Sequence, residues 1–321
     1  MTLRFERYVA IGDSSTEGLQ DQDGAGGYRG WANRLAERVA QAQGGLLYAN
    51  LGVRGKRSRD IREEQLGAAL AMKPDLATVF AGSNDILERR FDADKLRVEL
   101  ESMMGALVGG KAVVLTFTLP DLTGVMPIGR FLAPRVGAMN DSIREAAAST
   151  GARLIDFAAY SVGSDPRLWS EDRFHVNAEG HARIAAALAQ ALGLPGTNDA
   201  WQQPMPERNA QSRWTCMAES WSWYRHHLLN RLWPGSVVEE PCHPKRPRLE
   251  AVHLGTTQMV ARPGDAPGST ALCRASDYAG LTRSPAGSTR YLRGIVSRLV
   301  QSRRNCGRRC FPPVLSGDMR A

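Results

Sequence analysis

The first 195 residues alternate short, apolar, β-rich runs with longer stretches of helical periodicity. This alternation is typical of βαβ units, which build a parallel sheet with helices on both faces and right-handed crossovers. Five strands are predicted at Arg7–Ile11, Leu46–Asn50, Leu76–Phe80, Ala112–Phe117 and Arg153–Asp156, and five helices at 31–43, 59–72, 93–108, 134–149 and 177–192. The expected fold class is therefore α/β, with about five parallel strands.

Charge and cysteine content divide the 321-residue chain into unlike parts. Residues 1–195 carry 23 Lys and Arg against 24 Asp and Glu, whereas residues 196–321 carry 18 against 9, so the C-terminal part accounts for the net charge of +8. All five cysteines also lie there, and an odd number argues against a disulfide framework. We predict a globular domain over 1–195, a Trp-rich helical extension packed on it over 196–233, and a basic, largely disordered tail rich in Pro, Gly and Arg over 234–321.

Composition also restricts location and partners. No stretch approaches the roughly 18 consecutive apolar residues of a membrane span. The apolar run that ends at Ile11 is too short for a secretory signal, so cytoplasm is the expected compartment. Because the excess of positive charge is confined to the C-terminal part, nucleic acid is disfavoured as a partner. Peripheral membrane contact through that part remains an alternative, since Trp214–Leu232 and Thr289–Asn305 both show an amphipathic pattern.

Polar residues follow the predicted strands at the edge where a parallel sheet binds its ligands. Ser14 comes directly after the first strand in Gly-Asp-Ser, Gly55 follows the second, and Asn84 follows the third. Asp172 and His175 lie three residues apart before the last helix. Each motif alone is weak, because such residues are common in turns and caps. Together they predict a nucleophile, two kinds of hydrogen-bond donor, and a base with the carboxylate that orients it.

Four of these residues carry a family resemblance: Ser14 in GDS, Gly55 in NLGVRG, Asn84 in GSND and His175 in DRFH. The segment from about residue 5 to residue 195 resembles the GDSL, or SGNH, hydrolase superfamily. The resemblance implies a flavodoxin-like, three-layer α/β/α sandwich and ester hydrolysis that needs no metal and no other cofactor.

The chain departs from the family pattern at two places near His175. Val176 stands where the family usually has Pro, and Arg173 stands where it usually has Gly. Neither change removes a catalytic atom, and whether they alter the loop that holds His175 is left open.

The resemblance and the chemistry of a serine hydroxyl together suggest a mechanism. Ser14 is the expected nucleophile, His175 the base that takes its proton, and Asp172 the carboxylate that fixes the imidazole tautomer. The resemblance implies an oxyanion hole made of the backbone N–H groups of Ser14 and Gly55 and the side chain of Asn84. The expected catalytic residues are therefore Ser14, His175 and Asp172.

The expected substrate is a carboxylic ester with a small or medium acyl chain, cleaved through an acyl-enzyme. The segment Leu122–Leu132 follows the fourth strand and is expected to border the acyl pocket because it is apolar. A carbohydrate deacetylase and a lysophospholipase or thioesterase are alternatives. An alternative of another class is a noncatalytic binding protein with the SGNH fold, whose basic tail engages an anionic polymer or surface.

Several further residues have competing interpretations. Asp13 is predicted to make structural hydrogen bonds, His181 to pack inside the protein rather than bind a metal, and Asn177 to cap the last helix. A basic cluster follows the second strand and indicates either a solvated face or an anionic substrate at the rim of the site. Its members are Arg54, Lys56, Arg57, Arg59 and Arg62.

Overall fold

The structure, a computed structural model, describes residues 4–126, 128–206 and 249–252. Its strands are β1 (Arg7–Gly12), β2 (Leu46–Asn50), β3 (Leu76–Phe80), β4 (Val113–Phe117), β5 (Arg153–Ile155) and β6 (Glu250–Val252). Its helices are α1 (Ser14–Glu17), α2 (Gly30–Gln43), α3 (Ser58–Glu64), α4 (Leu66–Ala71), α5 (Ala93–Gly109), α6 (Gly129–Thr150) and α7 (Ala178–Leu192). Among the described residues, no helix is both long and apolar enough to cross a membrane.

The strands form one sheet in the order β5-β4-β3-β1-β2-β6, and β1 to β5 are all parallel. The five predicted strands are therefore confirmed, each within one residue at its ends. All five residues of β3 are buried, as expected of a strand covered on both faces. Helix α2 packs with α7 and α5 packs with α6, which gives the predicted α/β/α sandwich.

A sixth strand, β6, was not predicted. It pairs antiparallel with the outer edge of β2, where Val252 lies opposite Leu46 and Glu250 lies opposite Tyr48. Three residues are too few for a periodicity signal, and the surrounding composition favoured disorder. The rest of the predicted tail, residues 234–248 and 253–321, lies outside the described residues, as does the extension from residue 207 to residue 233.

The second predicted helix is divided into α3 and α4 at Gln65. The side chain of Gln65 is 4% exposed and hydrogen-bonds both polar backbone atoms of Gly12, accepting from N at 2.8 Å and donating to O at 2.9 Å. Those bonds hold Gln65 against the end of β1, and its φ of −112° departs from helical geometry. A tertiary contact thus interrupts a helix that local periodicity predicts as continuous.

Helix α6 begins at Gly129, five residues before the predicted start at Pro134. Proline has no N–H and suits the first turn of a helix. The structure places Pro134 inside the helix instead. A Cβ at Gly129 would lie 2.1 Å from the carbonyl oxygen of Leu122, so this helix start needs glycine.

Aromatic rings fill the core between the sheet and its helices. Phe80 and Phe117 stack with ring centroids 4.4 Å apart, and Trp31 and Phe157 pack edge-on against Phe117 at 5.3 and 5.5 Å. Trp201, the one tryptophan of the predicted extension among the described residues, is buried edge-on against Phe157 at 5.5 Å. The residues just after α7 therefore pack on the domain.

Candidate active site

The nucleophile candidate Ser14 begins the short helix α1 directly after the central strand β1. Asp13 caps this helix, because its carboxylate accepts a hydrogen bond from Ser15 N at 2.9 Å. Gly18 ends the helix at φ +97°, where its Cα approaches the backbone of Gly30 too closely for a side chain. The turn thus holds Ser14, which is 9% exposed, at the carboxyl edge of the sheet.

Ser14, His175 and Asp172 form a hydrogen-bonded series. Ser14 Oγ lies 2.8 Å from His175 Nε2, and His175 Nδ1 lies 2.7 Å from Asp172 Oδ2. An ionised carboxylate only accepts hydrogen bonds, so Nδ1 must donate to Asp172. Nε2 of a neutral imidazole is then the acceptor for the serine hydroxyl, which is the tautomer a general base needs.

The surroundings of Asp172 keep it ionised. Burial alone would raise its pKa, but hydrogen bonds from His175 and Ser170 lower the pKa well below its usual range. Asp172 Oδ1 accepts from Ser170 Oγ at 2.6 Å, Phe174 N at 2.8 Å and His175 N at 2.9 Å. The same carboxylate therefore orients the imidazole and holds the loop that carries it.

The two departures from the family pattern lie in this loop. Arg173 has φ +55°, in the left-handed region that favours glycine, the residue usual at this position. Trp169 and Val176 form an antiparallel bridge through the bonds Ser170 N to His175 O and Asn177 N to Leu168 O. Neither bond uses the N–H of Val176, so this bridge also suits a proline. The loop keeps its hydrogen bonds with the residues present.

We expect Arg173→Gly to change stability little, or to raise the free energy of unfolding by up to about 1 kcal/mol. A non-glycine residue in left-handed geometry costs about 1 to 2 kcal/mol, and substitution by glycine removes this strain. Glycine also has more conformational freedom in the unfolded chain, which offsets part of the gain in stability. Urea unfolding of the variant and of Gly124→Ala, a change far from this turn in sequence, provides the measurement. Destabilisation by more than about 1 kcal/mol would show that the arginine side chain matters more than its backbone.

The two other oxyanion candidates lie on adjoining loops. Gly55 adopts φ +76° in the loop after β2, and Asn84 begins the turn after β3. Asn84 Nδ2 donates to the carbonyl oxygen of Lys56 at 2.9 Å, which joins the two loops next to Gly55. Ser83 donates to the buried Asp13, which joins the Asn84 loop to the turn of Ser14. The structure therefore brings Ser14, Gly55 and Asn84 to one edge of the sheet.

Asp13 has the structural role that the sequence suggested. It is fully buried, caps α1 and receives the hydroxyl of Ser83. Burial raises the pKa of Asp13 to about 6, although the hydrogen bonds from Ser83 and Ser15 oppose the shift. It is not the carboxylate that contacts His175, because Asp172 holds that position.

His181 is packed inside the protein, as predicted. It is fully buried on α7, accepts a hydrogen bond from Trp31 N through Nδ1 at 3.1 Å and donates to the carbonyl oxygen of Leu19 through Nε2 at 2.9 Å. It thus joins α7 to the start of α2 and to the chain just after α1. Burial lowers its pKa to about 4. Among the described residues, no group of three or more His, Cys, Asp or Glu side chains is arranged to hold a metal ion.

We expect the contribution of His181 to stability to be complete at neutral pH and to be lost in acid. Its folded-state pKa of about 4 lies below the usual 6.5, so unfolding takes up a proton between these values. Protonation also turns Nδ1 into a donor that faces the N–H of Trp31. The stabilisation, about 3 kcal/mol, should disappear as the pH falls from about 6.5 to 4.

The measurement is the free energy of unfolding of wild type and His181→Gln at several pH values. The difference between the two proteins isolates residue 181, because Asp13 titrates in both. A difference that stays constant between pH 7 and pH 4 would contradict a neutral, buried His181.

The basic cluster after β2 consists of cations that all have acidic partners. Arg54 pairs with Glu17, Lys56 with Glu64, Arg57 with Glu88, Arg59 with Glu63, and Arg62 with Glu63 and Glu99. Neutralised cations attract an anion less than isolated ones do. The structure therefore favours the solvated face over an anionic substrate at this rim.

The segment expected to border the acyl pocket contributes its apolar side chains to the core. Leu122, Val125, Met126 and Ile128 are all buried. Their position as walls of a pocket stays a prediction.

Asn177 caps α7, accepting from Glu179 N and Gly180 N at 3.1 Å each, as the sequence indicated.

Several residues that hold the site together were not predicted from the sequence. Gln65 hydrogen-bonds the backbone of Gly12. Asp85 accepts hydrogen bonds from Ser58 N and Oγ at 3.0 and 2.6 Å. Arg135 donates hydrogen bonds to the carbonyl oxygens of Ile86, Glu88 and Arg89. Glu17 accepts from the backbone and the side chain of Arg54. Only Asp85 carried a local signal, because it follows Asn84 in the GSND motif.

Serine hydrolases rely on a serine, a histidine and an aspartate that are hydrogen-bonded in this order. The same arrangement lies here at the edge of the parallel sheet. The model of the GDSL-like lipase/acylhydrolase family matches residues 10–183, more than half of the chain. The chain belongs to this family of ester hydrolases.

Solved structures share the fold at low sequence identity. Axe2, an acetylxylan esterase from Geobacillus stearothermophilus, is 17% identical and matches with a TM-score of 0.53 over 62% of this chain and 100% of its own. TesA is 23% identical and matches with a TM-score of 0.50 over 58% of this chain and 98% of its own. No curated protein is significantly similar to the chain in sequence. At these identities the likeness supports the fold and leaves the substrate undefined.

Proposed function

We propose that the chain hydrolyses carboxylic esters with small or medium acyl chains through an acyl-enzyme on Ser14. The observation that carries the proposal is the unbroken series from Ser14 Oγ to His175 Nε2 at 2.8 Å and from His175 Nδ1 to Asp172 Oδ2 at 2.7 Å. A free serine hydroxyl is a poor nucleophile at neutral pH, and this contact supplies the base that it needs.

In the first half of the reaction, Ser14 Oγ forms a bond with the acyl carbon while its proton moves to His175 Nε2. The carbonyl oxygen becomes an oxyanion, stabilised by the N–H groups of Ser14 and Gly55 and the amide of Asn84. The tetrahedral intermediate then breaks its bond to the alcohol oxygen, which leaves with the proton from His175. Asp172, ionised throughout, stabilises the imidazolium that forms between the two proton transfers.

In the second half, water repeats the same steps. His175 takes a proton from water, the hydroxide oxygen bonds to the acyl carbon, and the second tetrahedral intermediate releases Ser14 Oγ, which regains its proton from His175. The carboxylic acid then leaves.

The substrate class is tested with a panel of nitrophenyl esters of increasing acyl length, measured beside acetylated sugars. The highest kcat/KM is expected for short or medium acyl esters. A clear preference for acetylated sugars would favour the carbohydrate deacetylase alternative, and a preference for thioesters or lysophospholipids would favour those classes. No turnover of any ester would favour the noncatalytic binding protein.

We expect Asn84→Ala to lower kcat by about 10² to 10³, the usual effect of losing one oxyanion donor. The variant also loses the bond from Asn84 Nδ2 to Lys56 O. Steady-state kinetics on a nitrophenyl ester provide the measurement, with Asn33→Ala as a control on α2. An unchanged kcat in Asn84→Ala would remove Asn84 from the oxyanion hole.

A further inference from the structure

We infer that Glu17 is a positioning residue that sets the distance between the nucleophile Ser14 and the oxyanion donor Gly55 N–H. The inference rests on the proposed function of the same site. The sequence motifs place no role on Glu17, and it does not contact the serine hydroxyl in the described structure.

Glu17 belongs to the same four-residue helix as Ser14 and lies almost one helical turn after it. Its side chain is largely buried and reaches the loop after β2. Glu17 Oε2 accepts from the backbone N–H of Arg54 at 2.8 Å and from Arg54 Nε at 3.2 Å, while Oε1 accepts from Nη2 at 3.0 Å. One carboxylate therefore fastens the nucleophile helix to the residue just before Gly55.

The other side of Gly55 is fastened too. The carbonyl oxygen of Lys56 accepts from Asn84 Nδ2 at 2.9 Å, so hydrogen bonds hold the residues on both sides of Gly55. Gly55 itself, at φ +76°, adopts a backbone conformation that most residues avoid. A flexible glycine between two fixed neighbours has a defined N–H direction.

Three links thus form a closed triangle around the site. Glu17 joins the Ser14 helix to the Gly55 loop, Asn84 joins that loop to the turn after β3, and Asp13 with Ser83 joins that turn back to the Ser14 helix. An oxyanion hole works through donors that are already in place when charge develops, and misplacement by about 1 Å can lower a rate about 10²-fold. Loss of the contact from Glu17 to the Gly55 loop is therefore expected to lower the rate of the chemical step.

Two conservative variants separate positioning from a simple ion pair. Glu17→Gln removes the charge but keeps an oxygen that can accept the Arg54 N–H. Glu17→Asp keeps the charge but shortens the side chain by one methylene, so it cannot reach that N–H unless the loop moves. If Glu17 positions the loop, the larger loss of kcat is expected in Glu17→Asp. If Glu17 acts only through its charge, the larger loss of kcat is expected in Glu17→Gln.

The matched control is Asp21→Asn. Asp21 forms a similarly buried, two-bond pair with Arg34, at 2.7 and 2.9 Å, but it does not contact the Gly55 loop. We expect its kcat to remain within about twofold of wild type, because the donors of the oxyanion hole stay in place.

The experiment measures kcat and KM on a nitrophenyl ester for full-length variants, with active sites counted by fluorophosphonate titration. Counting sites removes any effect of misfolded protein. We expect Glu17→Asp to lower kcat per site about 10- to 100-fold with KM within about threefold, and Glu17→Gln to lower it less. In the double variant Glu17→Asp/Asn84→Ala, the two losses should be less than multiplicative, since both act on the same oxyanion.

Wild-type kcat per site in Glu17→Asp, a larger loss in Glu17→Gln than in Glu17→Asp, or fully multiplicative losses in the double variant would each overturn the inference. Failure of the proposed function has a different signature, namely a wild-type protein without turnover that depends on Ser14.

Discussion

Replacement of Ser14 by alanine is expected to abolish ester turnover, with a loss of kcat of roughly 10⁵- to 10⁶-fold. In the proposed mechanism, the bond between Ser14 Oγ and the acyl carbon is the first covalent step, and no other atom of the series from Ser14 to Asp172 can replace that oxygen. Losses of this size are typical when the nucleophile of a catalytic triad is removed. The measurement is steady-state hydrolysis of a nitrophenyl acetate by purified wild type and variant.

The matched control for Ser14→Ala is Ser15→Ala. Ser15 is the next residue on α1, but its hydroxyl accepts a hydrogen bond from Trp31 Nε1 at 3.2 Å and does not contact His175. Turnover should survive in Ser15→Ala, and both variants should keep the circular dichroism spectrum of wild type. Undiminished turnover in Ser14→Ala would reject Ser14 as the nucleophile.

Replacement of Asp172 by asparagine is expected to lower kcat about 10⁴-fold at neutral pH. Asp172 receives hydrogen bonds from Ser170, Phe174 and His175 at Oδ1 and from the imidazole at Oδ2. An amide group offers one oxygen in place of two, so a donor faces either the loop N–H groups or His175 Nδ1. If it faces the imidazole, Nε2 carries the proton and cannot accept one from Ser14.

Hydrolysis by Asp172→Asn is compared with hydrolysis by Asp165→Asn. Asp165 also accepts from a backbone N–H in its own loop, that of Arg167 at 2.9 Å, but it does not contact His175. We expect Asp165→Asn to remain active. A decrease in kcat of less than about tenfold in Asp172→Asn would show that His175 is oriented without this carboxylate.

The parallel sheet could be predicted because its signals are local. The strands β1 to β5 are apolar runs bounded by polar or glycine-containing turns, and helices separate them. Two features could not be predicted because long-range contacts create them. The strand β6 exists only through its pairing with β2, which is about 200 residues away along the chain. The break at Gln65 arises from its bonds with Gly12, 53 residues earlier.

The same distinction holds for the candidate site. Ser14, Gly55, Asn84 and His175 could be found because each lies in a short motif after a strand or before a helix. Of the residues that hold those motifs together, Asp85 lies in the GSND motif, and the others could not be found in this way; for none of them does the sequence indicate the partner. The contact from Glu17 to Arg54 spans 37 residues and the contact from Asp85 to Ser58 spans 27, and an isolated acidic residue gives no sign of its partner.

The central claim is that folding brings Ser14 and His175 together as nucleophile and base, and peptide mass spectrometry after treatment with a fluorophosphonate tests it most directly. We expect one adduct per wild-type chain, on the peptide that contains Ser14, and hardly any labelling of His175→Ala over the same time. Labelling on a different residue, or equally fast labelling of Ser14 without His175, would contradict it.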